Sequence, residues 1–190
     1  MLQFSGDAPA FTAIISAAMH WQACGRLAAK RWMKIIMTEK NYRVAVLGGG
    51  SFGTAIANIV ADNGHPVSLW LRSEERAAEI NLSHVNAAYL PGVPLNPALK
   101  ATTVLSEAVA DVDIVFVAVP SKSSREVART LAGLLSDHCI LISTTKGIEA
   151  DGFKLMSEVI HEELPKARLG VMSGPNLAKE LAEREITATV

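Results

Sequence analysis

Residues 42–53, YRVAVLGGGSFG, decide how the rest of the chain is read. Residues 42–47 form a short run with β-branched positions, too brief for a helix and suited to a strand covered on both faces. Gly48, Gly49 and Gly50 follow, then Ser51, Phe52 and Gly53. Residues 51–63 then place Ile56, Ile59 and Val60 on one helical face, with Gly64 as the stop. The pattern G-x-G-x-x-G is weak alone, because glycine clusters occur in ordinary turns. Between a buried strand and a helix it reads as a phosphate-binding turn for a dinucleotide. In that reading Gly48 allows the tight turn, Gly50 lets the backbone approach a pyrophosphate, and Gly53 lets the helix pack closely on the strand. The helix N-terminus adds N–H groups and about half a positive charge for the phosphates.

Outward from this turn the chain alternates strand and helix. Residues 66–71 read as a second strand, and Ser73 as the cap of a helix that includes Arg76, Ala77 and Ile80. Residues 86–97, NAAYLPGVPLNP, hold three prolines and a glycine and read as a loop. A weak strand over 101–104 and a short helix over 106–110 precede the strongest strand, 113–119, apolar on both faces. Helices are predicted over 123–135, 153–164 and 176–183, and strands over 139–143 and 169–172, with another strand beginning at 186–190. Two βαβαβ runs imply an α/β fold: a Rossmann-type, doubly wound, mostly parallel sheet with helices on both faces. The expected strand order is 3-2-1-4-5-6, with a ligand crevice where the order reverses.

Composition fits such a domain. Hydrophobic residues make up 49% of the 190, enough for a sizeable core, and the formal net charge of −1 gives no bias toward nucleic acid or acidic membranes. Cys24 and Cys139 do not make a disulfide framework. Cys139 reads as a small core residue, and this usage fits a reducing cytoplasm. Residues 1–36 mix apolar residues with Arg26, Lys30, Arg31 and Lys34. The charge-free stretch over 8–25 is interrupted by His20, Trp21 and Gln22 and makes a poor membrane span, so no stable membrane insertion is expected. Its charges follow the apolar region, the reverse of a signal peptide. A basic amphipathic surface helix is an alternative. The preferred reading makes 1–36 a non-native or mobile N-terminal extension and 37–190 the dinucleotide-binding domain, beginning at Met37.

Ligands of such folds sit beyond the carboxyl ends of the strands. The second strand ends in Trp70-Leu71-Arg72-Ser73, without the acid that accepts from ribose hydroxyls in NAD-specific sites. Arg72 suits a 2′-phosphate, so NADP(H) is preferred over NAD(H). Glu74 and Glu75 read as complements to a helix dipole. Pro120 ends the fourth strand and frees backbone groups to face a cofactor. Lys146, followed by Gly147, is a single cation after the fifth strand that could hold a phosphate or carbonyl as a point charge. After the sixth strand, Gly174 offers close backbone approach, and Asn176 reads either as a helix cap or as part of an anion site. His65, His84, His138 and His161 show no carboxylate partner and are assigned no catalytic role. No metal site is expected.

Together these motifs resemble the bacterial-type NAD(P)-dependent glycerol-3-phosphate dehydrogenase family. The matching stretches are VLGGGSFGTA, GHPVSLWLR, NAAYLPGVPL, FVAVPS, TTKGIE and MSGPNLAKE, from about Arg43 to Val190. TTKG followed by SGPN is the specific part. The resemblance implies interconversion of dihydroxyacetone phosphate and sn-glycerol 3-phosphate, the source of the phospholipid backbone. It implies cofactor contacts from Ser51, Phe52, Arg72 and Ala178, contacts from Lys146 to both cofactor and substrate, and substrate contacts from Gly174 and Asn176. It places the general acid/base lysine in an all-helical C-terminal domain. The sequence stops at Val190, so no catalytic residue is expected within it, and the 190-residue chain is expected to be inactive alone. A homodimer is compatible with this reading. Rival readings are another two-domain NADP-dependent hydroxyacid dehydrogenase, a non-catalytic NADP(H)-binding module, and a Rossmann-like methyltransferase. The last normally carries an acid where this chain has Arg72.

Overall fold

A computed structural model describes residues 41–185. The expected extension over 1–36 and the expected strand over 186–190 lie outside the described residues. Strand β1 (Val44–Leu47) is buried at all four positions. It is flanked in parallel by β2 (Val67–Trp70) and β4 (Ile114–Val117). Strands β3 (Lys100–Thr102), β5 (Ile140–Ser143) and β6 (Arg168–Val171) extend the parallel sheet outward. The order is β3-β2-β1-β4-β5-β6, as expected. Winding reverses between β1 and β4, so a crevice opens at their carboxyl ends.

The helices are α1 (Ser51–Asp62), α2 (Glu74–Ser83), α3 (Leu105–Ala108), α4 (Ser121–Leu131), α5 (Met156–Glu163) and α6 (Ala178–Ala182). Leu47, Val115, Leu131, Leu141 and Ile160 interlock strands β1, β4 and β5 with α4 and α5 in one core cluster. Each such burial contributes about 1.5–3 kcal/mol before entropy is counted. Cys139 joins the same cluster, and burial, with a smaller contribution from Asp113, pushes its thiol up to about 11. It is the inert core residue the sequence suggested. On the other side, Asn81 of α2 bonds the Ala101 N–H and carbonyl, each at 2.8 Å, and so satisfies backbone groups of edge strand β3. Ser73 caps α2 by accepting from the Arg76 N–H, and Glu74 and Glu75 stand in its first turn as expected.

Several boundaries differ from the sequence reading. Asp113 stays outside β4: its carboxylate accepts the Arg43 N–H at 2.8 Å and closes the lower end of the sheet. Helix α4 starts at Ser121, directly after Pro120, and ends at Leu131, because Gly133 (φ +80°) turns the chain left-handed. Helix α5 starts at Met156 rather than Phe153. Phe153 adopts φ +54°, and the preceding loop folds back so that Ile148 bridges Leu155 in antiparallel fashion. Among the described residues, no helix is long and apolar enough to cross a membrane.

Candidate functional site

The glycine turn between β1 and α1 is built by close contact. Gly48 has φ +124°, and a Cβ there would stand 2.4 Å from the Ala118 carbonyl oxygen. A Cβ at Gly53 would stand 2.0 Å from the Gly48 carbonyl oxygen. Both positions therefore exclude any other residue, as the motif predicts. Gly50 differs: a Cβ there meets nothing within 4 Å. Open space thus lies beside the start of α1, where no side chain caps the helix and no acid stands in the first turn. An uncompensated helix N-terminus beside open space fits an anionic group such as a pyrophosphate. Gly49, a variable position in the motif, is also constrained, since its Cβ would lie 2.8 Å from the Leu71 Cβ.

A cleft of about 610 Å³ opens from this turn. Gly48, Gly50, Ser51, Phe52 and Gly53 line one side, Arg72 the end of β2, and Pro120 the end of β4. Lys146, Asn176 and Ala178 line it as well. Gly174 is joined to this group indirectly, because its carbonyl accepts from the Lys146 Nζ at 3.1 Å. Arg72 is exposed and pairs with Glu126 at 3.7 Å, a surface contact of about 0–1 kcal/mol that a stronger anion displaces at little cost. Several lining residues escaped the sequence reading, among them Arg76, Tyr89 and Lys122. Arg76, in the first turn of α2, lies 4.8 Å from the ring centre of Tyr89. A second arginine shortly after Arg72 and the aromatic in NAAYLP were the available signals.

The loop after β5 presents Lys146 by several restraints. The Thr144 hydroxyl donates to the Val117 carbonyl at 3.0 Å, and the Thr145 hydroxyl to the Val119 carbonyl at 2.9 Å. Gly147 then turns with φ +115°. Further on, Glu149 receives a two-pronged bond from Arg125 of α4, at 2.7 and 2.6 Å. Arg125 also pairs with Glu163 and Glu162 of α5, Arg129 with Glu163, and Lys154 with Glu162. Arg125 holds the Glu149 carboxyl below the usual carboxylate range, and its three glutamates raise Arg125 in return. The Lys146 Nζ donates to the carbonyls of Gly174 and Asn176, at 3.1 and 3.3 Å, and lies 6.0 Å from the Phe52 ring centre. One ammonium thus ties the TTKG loop to the SGPN loop and faces the glycine turn. Capping by Asn176 is corrected: α6 begins two residues later, at Ala178, its cap is Leu177, and Asn176 is 3% exposed. His65 lies away from this cleft, packed edge-on against Tyr42 before β2.

Comparison with known proteins agrees with this geometry. Residues 43–190 match the family profile described as NAD-dependent glycerol-3-phosphate dehydrogenase N-terminus. The chain is 51% identical over 154 residues to a glycerol-3-phosphate dehydrogenase [NAD(P)+] of Alcanivorax borkumensis, covering 81% of this chain and 45% of that protein. Among solved structures, glycerol-3-phosphate dehydrogenase from Coxiella burnetii superimposes with a TM-score of 0.70 at 34% identity, covering 75% of this chain and 44% of that one. The enzyme from Saccharomyces cerevisiae gives 0.69 at 37%, covering 76% and 45%. The chain therefore spans less than half the length of the relatives it matches. Its sheet order, its glycine turn and this match over residues 43–190 together establish that the chain belongs to the NAD-dependent glycerol-3-phosphate dehydrogenase family, as its N-terminal domain.

Proposed function

We propose that this domain binds a nicotinamide dinucleotide in the cleft, prefers NADP(H) to NAD(H), and serves the interconversion of dihydroxyacetone phosphate and sn-glycerol 3-phosphate. The observation that carries the reading is the position of Lys146, held between the TTKG and SGPN loops and facing the glycine turn across one cleft. The open face of Gly50 and the uncapped start of α1 fit the pyrophosphate of such a cofactor, with Gly48, Ser51, Phe52 and Gly53 around it. Arg72 takes the adenosine end, exchanging its Glu126 partner for a 2′-phosphate. Pro120 and Ala178 complete the cofactor walls, and Lys146, Gly174 and Asn176 form the substrate end.

When bound, the dinucleotide supplies or receives the hydride. The chain's own residues bind and orient. Lys146 places a positive charge where a carbonyl becomes an alkoxide, so its attraction grows along the reaction. Its bonds to two backbone carbonyls keep the ammonium aimed without neutralising it. Among the described residues this end of the cleft offers no carboxylate or imidazole to share the proton transfer. We assign that transfer to a lysine of the family's helical C-terminal domain. The product supplies the phospholipid backbone in this reading, and a cytoplasmic location and a homodimer are consistent with it.

Fluorescence titration of the 190-residue chain with NADPH and NADH tests the cofactor assignment. Wild type is expected to prefer NADPH by roughly ten- to a hundredfold, the worth of one charge-assisted contact, and Arg72→Ala to remove most of that preference. Equal affinities in wild type would sink the preference for NADP(H). Absence of binding for both would sink the cofactor site itself.

A further inference from the structure

We infer that Asn86 is a positioning residue for the phosphate-binding turn, fixing the Gly49–Gly50 peptide from the buried side. The inference rests on the reading that this turn holds a dinucleotide pyrophosphate. Asn86 opens the NAAYLP loop, is 0% exposed, and spends its single amide nitrogen on two distant partners. It donates to the Gly49 carbonyl at 3.1 Å and to the Thr54 hydroxyl at 2.8 Å. One partner is the middle glycine of the turn, and the other lies in the first turn of α1, itself 0% exposed. Asn86 therefore couples the two halves of the motif from 37 and 32 residues away.

Such a coupling matters most where the backbone is least constrained. Three consecutive glycines have more conformational freedom to lose than any other tripeptide, so something outside them must hold the turn. Neighbouring groups hold its two ends: the Gly48 N–H donates to the Trp70 carbonyl at 2.9 Å, and the Thr54 N–H to the Gly50 carbonyl at 2.9 Å. Leu71 backs Gly49 on one side. Asn86 holds a carbonyl between these ends, that of Gly49. The peptide bond is planar and trans, so its carbonyl and its N–H point in opposite directions. Drawing the Gly49 carbonyl inward to Asn86 turns the Gly50 N–H away from the interior. That sets the donor direction an anion at this turn requires.

The alternative is that Asn86 merely anchors its own loop. That loop already has other anchors. The Asn58 Oδ1 accepts from the Asn96 N–H at 2.7 Å, and the Asn58 Nδ2 donates to the Pro94 carbonyl at 3.3 Å. Asn58 therefore provides a control that loosens the loop and leaves the turn alone.

The test is titration of the 190-residue chain with NADPH and with NADH, alongside melting temperatures, for Asn86→Ala, Asn86→Ser, Thr54→Val and Asn58→Ala. Asn86→Ala and Asn86→Ser are expected to weaken both cofactors alike, by about tenfold. Thr54→Val, which keeps the side-chain volume and removes one acceptor, should weaken both by a few-fold. Asn58→Ala should lower the melting temperature at least as much as Asn86→Ala while keeping both affinities within about twofold of wild type. Wild-type affinity in folded Asn86→Ser, or in Thr54→Val if the Asn86 variants do not fold, overturns the role of Asn86 alone. So does an affinity loss in Asn58→Ala that tracks its melting temperature. Absence of cofactor binding in wild type overturns the cofactor reading and this inference with it.

Discussion

The centre of the sheet and its β6 edge are built on different terms. β1 and β4 are buried at every position, whereas no residue of β6 is fully buried. α1 buries Ala55, Ile56, Ala57, Val60 and Ala61 among others, while α6 buries none of its residues. The glycine turn belongs to the centre. Lys146 and Gly174 follow the outer strands β5 and β6, near which Phe153 is 79% exposed, and Leu177, just before α6, is 62% exposed. At the centre, geometry is set by van der Waals contact that a single methyl violates. At the edge, it is set by hydrogen bonds and by the Arg125 charge network. Dispersion and burial act only at contact, so the centre is unforgiving; polar bonds have alternatives in water, so the edge can rearrange.

The sharpest way to break this comparison is at the glycines. Gly53→Val puts a branched side chain where 2.0 Å separates a Cβ from the Gly48 carbonyl, and is expected to unfold the turn, with loss of both secondary structure and cofactor binding. Gly50→Val, with nothing within 4 Å, is expected to keep a wild-type circular dichroism spectrum and lose the cofactor. Retained binding in Gly50→Val would mean the dinucleotide lies elsewhere.

A smaller effect sharpens the contrast in stability. Leu141→Ala, at a 0% exposed position, is expected to cost about 2–5 kcal/mol in urea unfolding. Leu177→Ala, at an exposed position, should stay within about 0.5 kcal/mol. Comparable losses at both positions would show that the segment after β6 is as tightly packed as the centre.

The smallest expected effect is pH-dependent. His65 is 4% exposed, and burial lowers its pKa from the ordinary 6.5. The unfolded chain therefore binds this proton more readily than the folded one. The stabilisation is fully present above 6.5 and is lost as pH falls from there toward the lower folded value. Replacing His65 by Phe should flatten that part of the stability–pH curve. An unchanged acid limb would assign it to other groups.

The sequence was most legible where one principle ruled. Continuous apolar runs in β1 and β4, the glycine spacing and Gly64 gave the sheet order and the turn, because parallel topology leaves few alternatives. Boundaries were misread where local signals met tertiary ones. Residues 153–155 look helical, yet Ile148 draws Leu155 into a bridge and delays α5. Asn176 looks like a cap, yet the Lys146 ammonium claims its carbonyl and the helix waits two residues. Asn86, Arg76 and Tyr89 were missed for another reason. Loop composition marks a turn-rich segment, but nothing local announces an amide donating to a glycine 37 residues away.

The adjacency of Leu71 and Arg72 has a consequence for how cofactor preference can change. Leu71 is 3% exposed and braces Gly49, whereas Arg72 projects into solvent with one weak surface partner. The scaffold residue and the residue proposed to set selectivity are neighbours in sequence, yet share almost no structural obligation. On the proposed function, substitution at Arg72 would redirect the domain between dinucleotides without touching the turn assigned to their common half. Preference would then be a setting adjustable one residue at a time, in the laboratory or under selection, while affinity for the shared pyrophosphate would stay with the parts that cannot be altered.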